Sequence, residues 1–323
     1  MIPSITPAKR HLALTERQGA LEEIIHELER RFGPGVVYRI SQARPKVGAV
    51  AVPTGSLALD YASGIGGAPR GRISEIFGPE SCGKTTLAYH IIANAQRDYG
   101  LAALVDVGQT ADALDMERCG VDTQNLILAV PTEAEEALEI TEILVRCHAL
   151  DVLVFSSVDA LASLPSAKLS ALLSRSLRKI NSFLRGSPTA LVFTNQSYGG
   201  RALPFYASLR IELMPLRPIL HSGEVAAGLR VRANVVKNKL APPLKIAEIS
   251  IMEEKGIHRE AEIFDLGFAC GLIEKLHLGF AYGRQFLGKS RDRAIIALEQ
   301  EPNTTKQLEK DVRLRLHSLF FVY

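Results

Sequence analysis

The stretch Gly78-Pro79-Glu80-Ser81-Cys82-Gly83-Lys84-Thr85-Thr86 constrains this chain more than any other. It satisfies G-x-x-x-x-G-K-[ST]. It follows an apolar run, Ile73-Ser74-Glu75-Ile76-Phe77, and opens a helical run from Leu87 to Gln96. A loop between strand and helix can curl its backbone N–H groups around an anion. Glycine lets the backbone approach without a Cβ clash, and the helix adds its positive N-terminal end. Lys84 would then reach the β- and γ-phosphates of a nucleotide, and the Thr85 hydroxyl would hold Mg2+. Gly78 to Thr86 are therefore the candidate nucleotide-binding residues, and Thr85 is the candidate metal ligand. Cys82 reads as a small spacer in the loop, because a reactive thiol needs an electropositive, accessible setting.

The rest of the chain supports an α/β fold around that loop. Strand-like runs at 72–77, 101–106, 126–130, 151–156 and 190–195 alternate with helical patterns at 84–98, 133–148 and 166–185. Such alternation predicts a mostly parallel central sheet with helices on both faces. Closer runs at 207–214, 229–237 and 245–252 predict hairpins. From about 257 the pattern changes to a small α+β domain, with a Gly-rich stretch at 279–288 and a helical one at 291–318. At the other end, Thr15-Glu16-Arg17-Gln18 matches a capping box. Leu21, Ile24, Ile25, Leu28 and Phe32 then share one helical face that needs a surface to cover it, in its own core or on a neighbouring subunit. The expected organisation is an N-terminal helix and oligomerisation segment (1–40), a nucleotide-binding core (41–256) and a small C-terminal domain (257–323).

Composition excludes several classes. A net charge of +3 is too small to argue for nucleic acid by itself. The four cysteines, Cys82, Cys119, Cys147 and Cys270, form no C-x-x-C pair, which argues against zinc and dithiol redox chemistry and for free thiols in a reducing compartment. No apolar run is long enough for a membrane span and no signal-peptide pattern opens the chain, so the expected location is cytoplasmic.

In order and spacing the residues resemble the RecA recombinase family over roughly residues 15 to 318. The resemblance rests on Thr54-Gly55-Ser56-Leu57-Ala58-Leu59-Asp60, Gly71-Arg72-Ile73, the phosphate loop, Gly120-Val121-Asp122, Thr194-Asn195-Gln196, Phe205-Tyr206-Ala207-Ser208 and Val236-Lys237-Asn238-Lys239. Asp265-Leu266-Gly267 and Leu272-Ile273-Glu274-Lys275 extend it toward the C-terminus. It implies an ATP- and Mg2+-binding RecA-type core, with Asp112 on the adenine side and Gln196 sensing the γ-phosphate. Lys237 and Lys239 would reach the ATP of a neighbouring subunit; read alone, they fit a solvated strand end better.

The departures bear on function. Where the family places a water-activating Glu, this chain has Gly108. Where it ends a strand in a magnesium-supporting Asp, this chain has Ser156. Asp106, two positions before Gly108, sits ~7 Å away along a strand, and Asp159 lies three residues past Ser156. The positions that flank adenine with aromatic rings are Asp115 and Glu260. Both DNA-binding loops are short: only Ser197 to Arg201 separate Gln196 from Ala202, and Pro165 leads directly into a helix. Tyr198 and Arg201 fit a tight turn. Arg175, Arg178, Lys179 and Arg185 form a basic helical face, open either to solvent or to DNA phosphates. The pattern is similar to ImuA-type RecA relatives. It implies an accessory or regulatory protein of bacterial DNA repair, recombination and the SOS response, with weak or absent ATPase activity. Its partners would be itself, RecA or a translesion polymerase, with single-stranded DNA possible and no membrane. An active DNA-dependent recombinase and a nucleotide-gated switch stand as alternatives.

Overall fold

The computed structural model describes residues 14–33, 37, 51–161, 165–196, 202–221 and 225–320. The chain forms two units, Met1–Gly48 and Ala49–Tyr323. The first contains α1 (Leu14–Phe32), which starts one residue before Thr15, so Thr15 lies inside the first turn rather than at the cap. It stops where glycine allows: Gly33 takes φ +99 and its N–H donates to the Glu29 carbonyl. Leu21, Ile24 and Phe32 of its apolar stripe remain exposed.

The second unit opens with β1 (Ala51–Val52), α2 (Leu57–Ser63) and β2 (Ala68–Pro69). It then alternates through β3 (Arg72–Phe77), α3 (Lys84–Gln96), β4 (Ala102–Asp106), α4 (Ala113–Arg118), β5 (Leu126–Ala129), α5 (Ala134–Arg146), β6 (Val152–Ser156), α6 (Ser166–Leu184), β7 (Ala190–Asn195) and α7 (Ala202–Tyr206). Next come β8 (Leu209–His221), β9 (Val225–Asn238), β10 (Ile246–Met252) and β11 (Gly256–Ile257). The chain closes with α8 (Arg259–Ala269), β12 (Ile273–Leu276), β13 (Gly279–Tyr282), β14 (Gln285–Gly288), α9 (Arg291–Gln300) and α10 (Pro302–Phe320).

A single large sheet runs β11-β10-β9-β8-β3-β7-β6-β4-β5. The half from β8 to β5 is parallel and the half from β8 to β11 is antiparallel. Strands β4, β6 and β7 are continuous apolar runs because both of their faces are covered. Ala102, Leu104, Val152, Val154 and Val192 pack under α3, and Ala103, Val105, Leu153, Phe155 and Phe193 pack under α5 and α6. Helix α3 is buried on nearly all sides (Leu87, Ala88, Tyr89, Ile91, Ile92), which fixes its N-terminus against the carboxyl end of the sheet.

The hairpins exceed expectation. Strands β8 and β9 continue well past the expected runs, through Pro215 and Pro218, which read as strand breakers in sequence. Beyond Glu212, β8 no longer pairs with β3, so a proline there sacrifices no ladder bond on that side, and the β8–β9 register shifts between Pro215 and Arg217. The helical stretch 291–318 is two helices, with Pro302 starting the second at a position where its missing N–H is harmless. The Gly-rich stretch 279–288 is the β13–β14 hairpin. The C-terminal segment has its own apolar cluster, including Phe264, Leu298, Leu308 and Val312, which also takes in Leu57 of α2.

Candidate functional site

The phosphate loop leaves β3 at Gly78. Gly78 (φ +154) can carry no side chain, since a Cβ there would lie 2.2 Å from the Leu213 carbonyl oxygen. Ser81 (φ 55) and Gly83 (φ 88) complete the left-handed turns, and Gly83 caps α3 without any side-chain hydrogen bond. Gly83 offers no capping side chain, so the first turn of α3 faces the loop with only the Cys82 sulfur beside the Lys84 N–H, an arrangement that attracts an anion. Lys84 is buried. Its Nζ donates to the Gly78 carbonyl at 3.0 Å and to the Pro79 carbonyl, and lies 3.8 Å from the Cys82 sulfur. Among the described residues it makes no ion pair. A buried cation without a counter-charge fits a site that takes an anion. Thr85, Thr86 and Gly83 are half-buried around it, with Pro79, Glu80 and Ser81 exposed on the loop's outer edge. The Cys82 thiol is buried, and burial pushes it up despite Lys84 nearby, which matches a spacer.

Facing this loop, on the α3 side of the sheet, are the ends of β4, β6 and β7. Asp106 ends β4 and is the Cα partner of Ser156, which ends β6. The Ser156 hydroxyl accepts from Thr194 Oγ1 of β7 at 3.2 Å. Asp106 is buried; its Oδ2 accepts the Ala111 N–H at 2.8 Å, while its Oδ1 has no hydrogen-bond partner among the described residues. Gly108 lies in the turn just beyond, and a Cβ placed there meets nothing closer than 3.5 Å. Asp112 caps α4, its Oδ1 accepting the Leu114 and Asp115 N–H groups at 2.8 and 3.0 Å. Asp159 is half-buried in the 3-10 turn after β6 and accepts the backbone N–H of Gln196, whose side chain is exposed. Of the candidate residues, the fold brings the loop and Ser156 to one end of the sheet, with Gly108 just past β4. The loop 197–201, with Tyr198 and Arg201, lies outside the described residues.

A second group forms at the start of β8. Lys237 Nζ donates to the Pro204 carbonyl, and both Lys237 and Lys239 donate to the Phe205 carbonyl at 3.3 Å. Burial and the neighbouring Lys239 and Arg210 hold the Lys237 ammonium below its usual range. Arg210 pairs with the fully buried Glu75 of β3, which also accepts from Asn195 Nδ2 at 3.0 Å, and the Arg210 guanidinium covers the Phe77 ring at 4.5 Å. Sequence reasoning missed this link between β3, β7 and β8. Its one signal was a glutamate between the apolar residues Ile73 and Ile76 of β3.

Two further features hold α3 in place. His90 Nε2 accepts the Ile257 N–H at 2.8 Å, and burial holds the ring neutral, with its pKa pulled down to about 4. The backbone reaches His90 only because residue 256 is glycine (φ +67), whose Cβ would lie 2.3 Å from Nε2. Below α2, Ser56 Oγ donates to Glu262 at 2.8 Å, and burial raises that carboxyl to about 8.

Asp115 pairs with Arg118 at 3.0 Å. Glu260 lies near Lys255, beside His258 and Glu299. The donor atoms of His258, Glu260 and Glu299 come within 4.8 Å of one another, but the Lys255 ammonium already bonds Glu299 and supplies the positive charge there. A cavity of about 560 Å³ between β10 and helices α8 and α9 has its charges matched internally, Arg291 and Arg230 both meeting Asp265. On α6, Arg175, Arg178 and Arg185 are exposed, and Lys179 pairs with Glu142 at 3.4 Å. The four cysteines are free. No helix among the described residues is long and apolar enough to cross a membrane.

The family model of the RecA N-terminal domain matches residues 19–258. Protein RecA of Chloroflexus aurantiacus is 40% identical over 328 residues, covering 94% of this chain and 93% of that protein. Protein RecA of Mesorhizobium japonicum is 40% identical over 323 residues, covering 92% and 88%. Protein RecA of Streptomyces ambofaciens is 40% identical over 331 residues, covering 94% and 88%. The likeness spans the phosphate loop, the whole sheet and the C-terminal segment, and the chain belongs to the RecA family.

Proposed function

We propose that this RecA-family chain binds ATP with Mg2+ in the 78–86 loop and serves DNA repair and damage tolerance as an accessory or regulatory protein with impaired hydrolysis. One observation carries this reading. The loop keeps a buried Lys84, without an ion pair among the described residues, at a helix start that Gly83 leaves without a side-chain cap, while the facing turn has no carboxylate at Gly108 and β6 ends in Ser156. A general base must lie within hydrogen-bond reach of the water it activates, and glycine has none to offer. The loop amides and Lys84 would hold the phosphates, Thr85 the Mg2+, and Asp112 the adenine side. Gln196 would sense the γ-phosphate. Mg2+, when bound, would neutralise phosphate charge.

Lys237 and Lys239 would approach the ATP of a second subunit, with residues 1–40 as the oligomerisation segment and 257–323 as a separate small domain. The partners would be a second copy, RecA or a translesion polymerase, in a bacterial cytoplasm under DNA damage. Purified protein titrated with ATP, with and without single-stranded DNA, tests the reading: binding with background turnover is expected, and strong DNA-stimulated turnover overturns it.

The second reading is a working, ATP-dependent recombinase. It is favoured by a similarity that covers most of the length of proteins named RecA, and by the Asp106 carboxylate beside Ser156. It requires strand exchange by the unmodified protein that Lys84→Ala abolishes.

A further inference from the structure

Among the described residues Asp106 Oδ1 is a buried carboxyl oxygen with no hydrogen-bond partner, and such groups are rare because leaving them unsatisfied is costly. Only 2% of Asp106 is exposed, so solvent does not relieve it. The other oxygen is committed to the Ala111 N–H. Alternation along β4 places Asp106 on the face of Ala102 and Leu104, the face covered by α3. Tyr89 of α3 packs in the same cluster as Ala102 and Leu104. Burial raises its hydroxyl to about 12, and the Asp106 and Asp115 charges push the same way. Tyr89 lies one helical turn after Thr85, so the two share a face. Asp106 thus lies beneath the helix face that presents the Thr85 hydroxyl, one strand away from Ser156, or ~4.8 Å across a parallel pair.

The other acidic candidate is already occupied. Asp159 accepts the Gln196 N–H and sits in a turn beyond the strand. Ser156 carries no charge and its oxygen accepts from Thr194. From the free Oδ1 and its placement we propose that Asp106 supplies the carboxylate that supports Mg2+ beside Thr85, taking over from the position that Ser156 leaves uncharged. This rests on the nucleotide-binding reading above, and it separates metal support, which the chain retains, from water activation, which Gly108 lacks.

The test is a titration of the full chain with a fluorescent ATP analogue in Mg2+ and in EDTA, where the ratio of the two affinities reports the metal alone. The unmodified chain should bind at least ~10-fold tighter in Mg2+. Asp106→Asn keeps an oxygen for the Ala111 N–H but removes the charge, so it should cut that ratio severalfold while leaving affinity in EDTA intact. Adding Ser156→Asp to that variant should restore the ratio. An Asp106→Asn chain with the unmodified ratio overturns the proposal. Ser156→Asp in the otherwise unmodified chain tests it without relying on the folding of Asp106→Asn. A ratio changed less than ~2-fold is expected, and a severalfold rise overturns the proposal, because the site would then have lacked its carboxylate. Absence of nucleotide binding in both buffers overturns the nucleotide reading, and this proposal with it.

Discussion

The loop at the end of β3 and the rim at the ends of β4 and β6 lie at the same end of one sheet and face the same helix, yet they have fared differently. The loop retains what holding an anion demands: left-handed turns at Gly78 and Gly83, a start of α3 that Gly83 leaves without a side-chain cap, and a buried Lys84. The rim retains a buried Asp106 but presents a hydroxyl at Ser156 and nothing at Gly108. The difference teaches that binding and turnover are separable in this architecture. Binding is built largely from backbone and one cation, whereas turnover depends on individual side chains placed to within a hydrogen bond. A side chain can be lost by one substitution without disturbing the backbone that holds the phosphate.

The sharpest way to break the comparison is to remove the cation from the loop. Lys84→Ala should weaken ATP binding on the order of 100-fold, or about 2.8 kcal/mol, in an equilibrium titration. Unchanged affinity would mean that the loop is not the nucleotide site. Next in size is a repair of the rim. Gly108 lies outside the left-handed region and has room for a side chain, so Gly108→Glu should fold normally. It should raise ATP turnover by ~100-fold in a steady-state assay. Persistent background turnover would place the defect elsewhere.

Smaller effects test the packing that holds the loop's helix. Gly256→Ala would force a Cβ into His90 and strain a left-handed residue, costing ~1–3 kcal/mol in a urea titration. A cost near zero would show that the His90–Ile257 bond does not anchor α3. A pH-dependent effect concerns Glu262. Its carboxyl ionises near 4.5 in the unfolded chain and near 8 when buried. Its contribution to stability is therefore fully present below the lower value and is lost as pH rises through the higher. Glu262→Gln should stabilise the chain by about 4 kcal/mol at about pH 9 relative to its effect at about pH 5. Equal effects at both pH values would rule out ionisation as the cause.

The parallel half of the fold was legible in sequence because its strands are short apolar runs separated by helical periodicity. The loop was legible because a contiguous motif specifies its own geometry. The β8–β9 hairpin was only half legible, since Pro215 and Pro218 mark strand ends unless the neighbouring edge is known to be open. Helix α8 went unread because it is only eleven residues long and carries Gly267, a poor helix former, near its end. The Glu75–Arg210 pair and the His90–Ile257 bond join residues more than a hundred positions apart, a distance over which no local pattern reaches.

The sequence by itself determined the phosphate loop, the order of the parallel strands' elements and the absence of carboxylates at 108 and 156, because each is a property of consecutive residues. Only the tertiary structure decided that Asp106 stands beside Ser156, that Asp159 is tied to Gln196, and that Lys84 is buried, with one Asp106 oxygen unspent and no counter-charge to Lys84 among the described residues. Those facts depend on strand register and on which groups exclude water. Register and burial are set by the packing of distant segments.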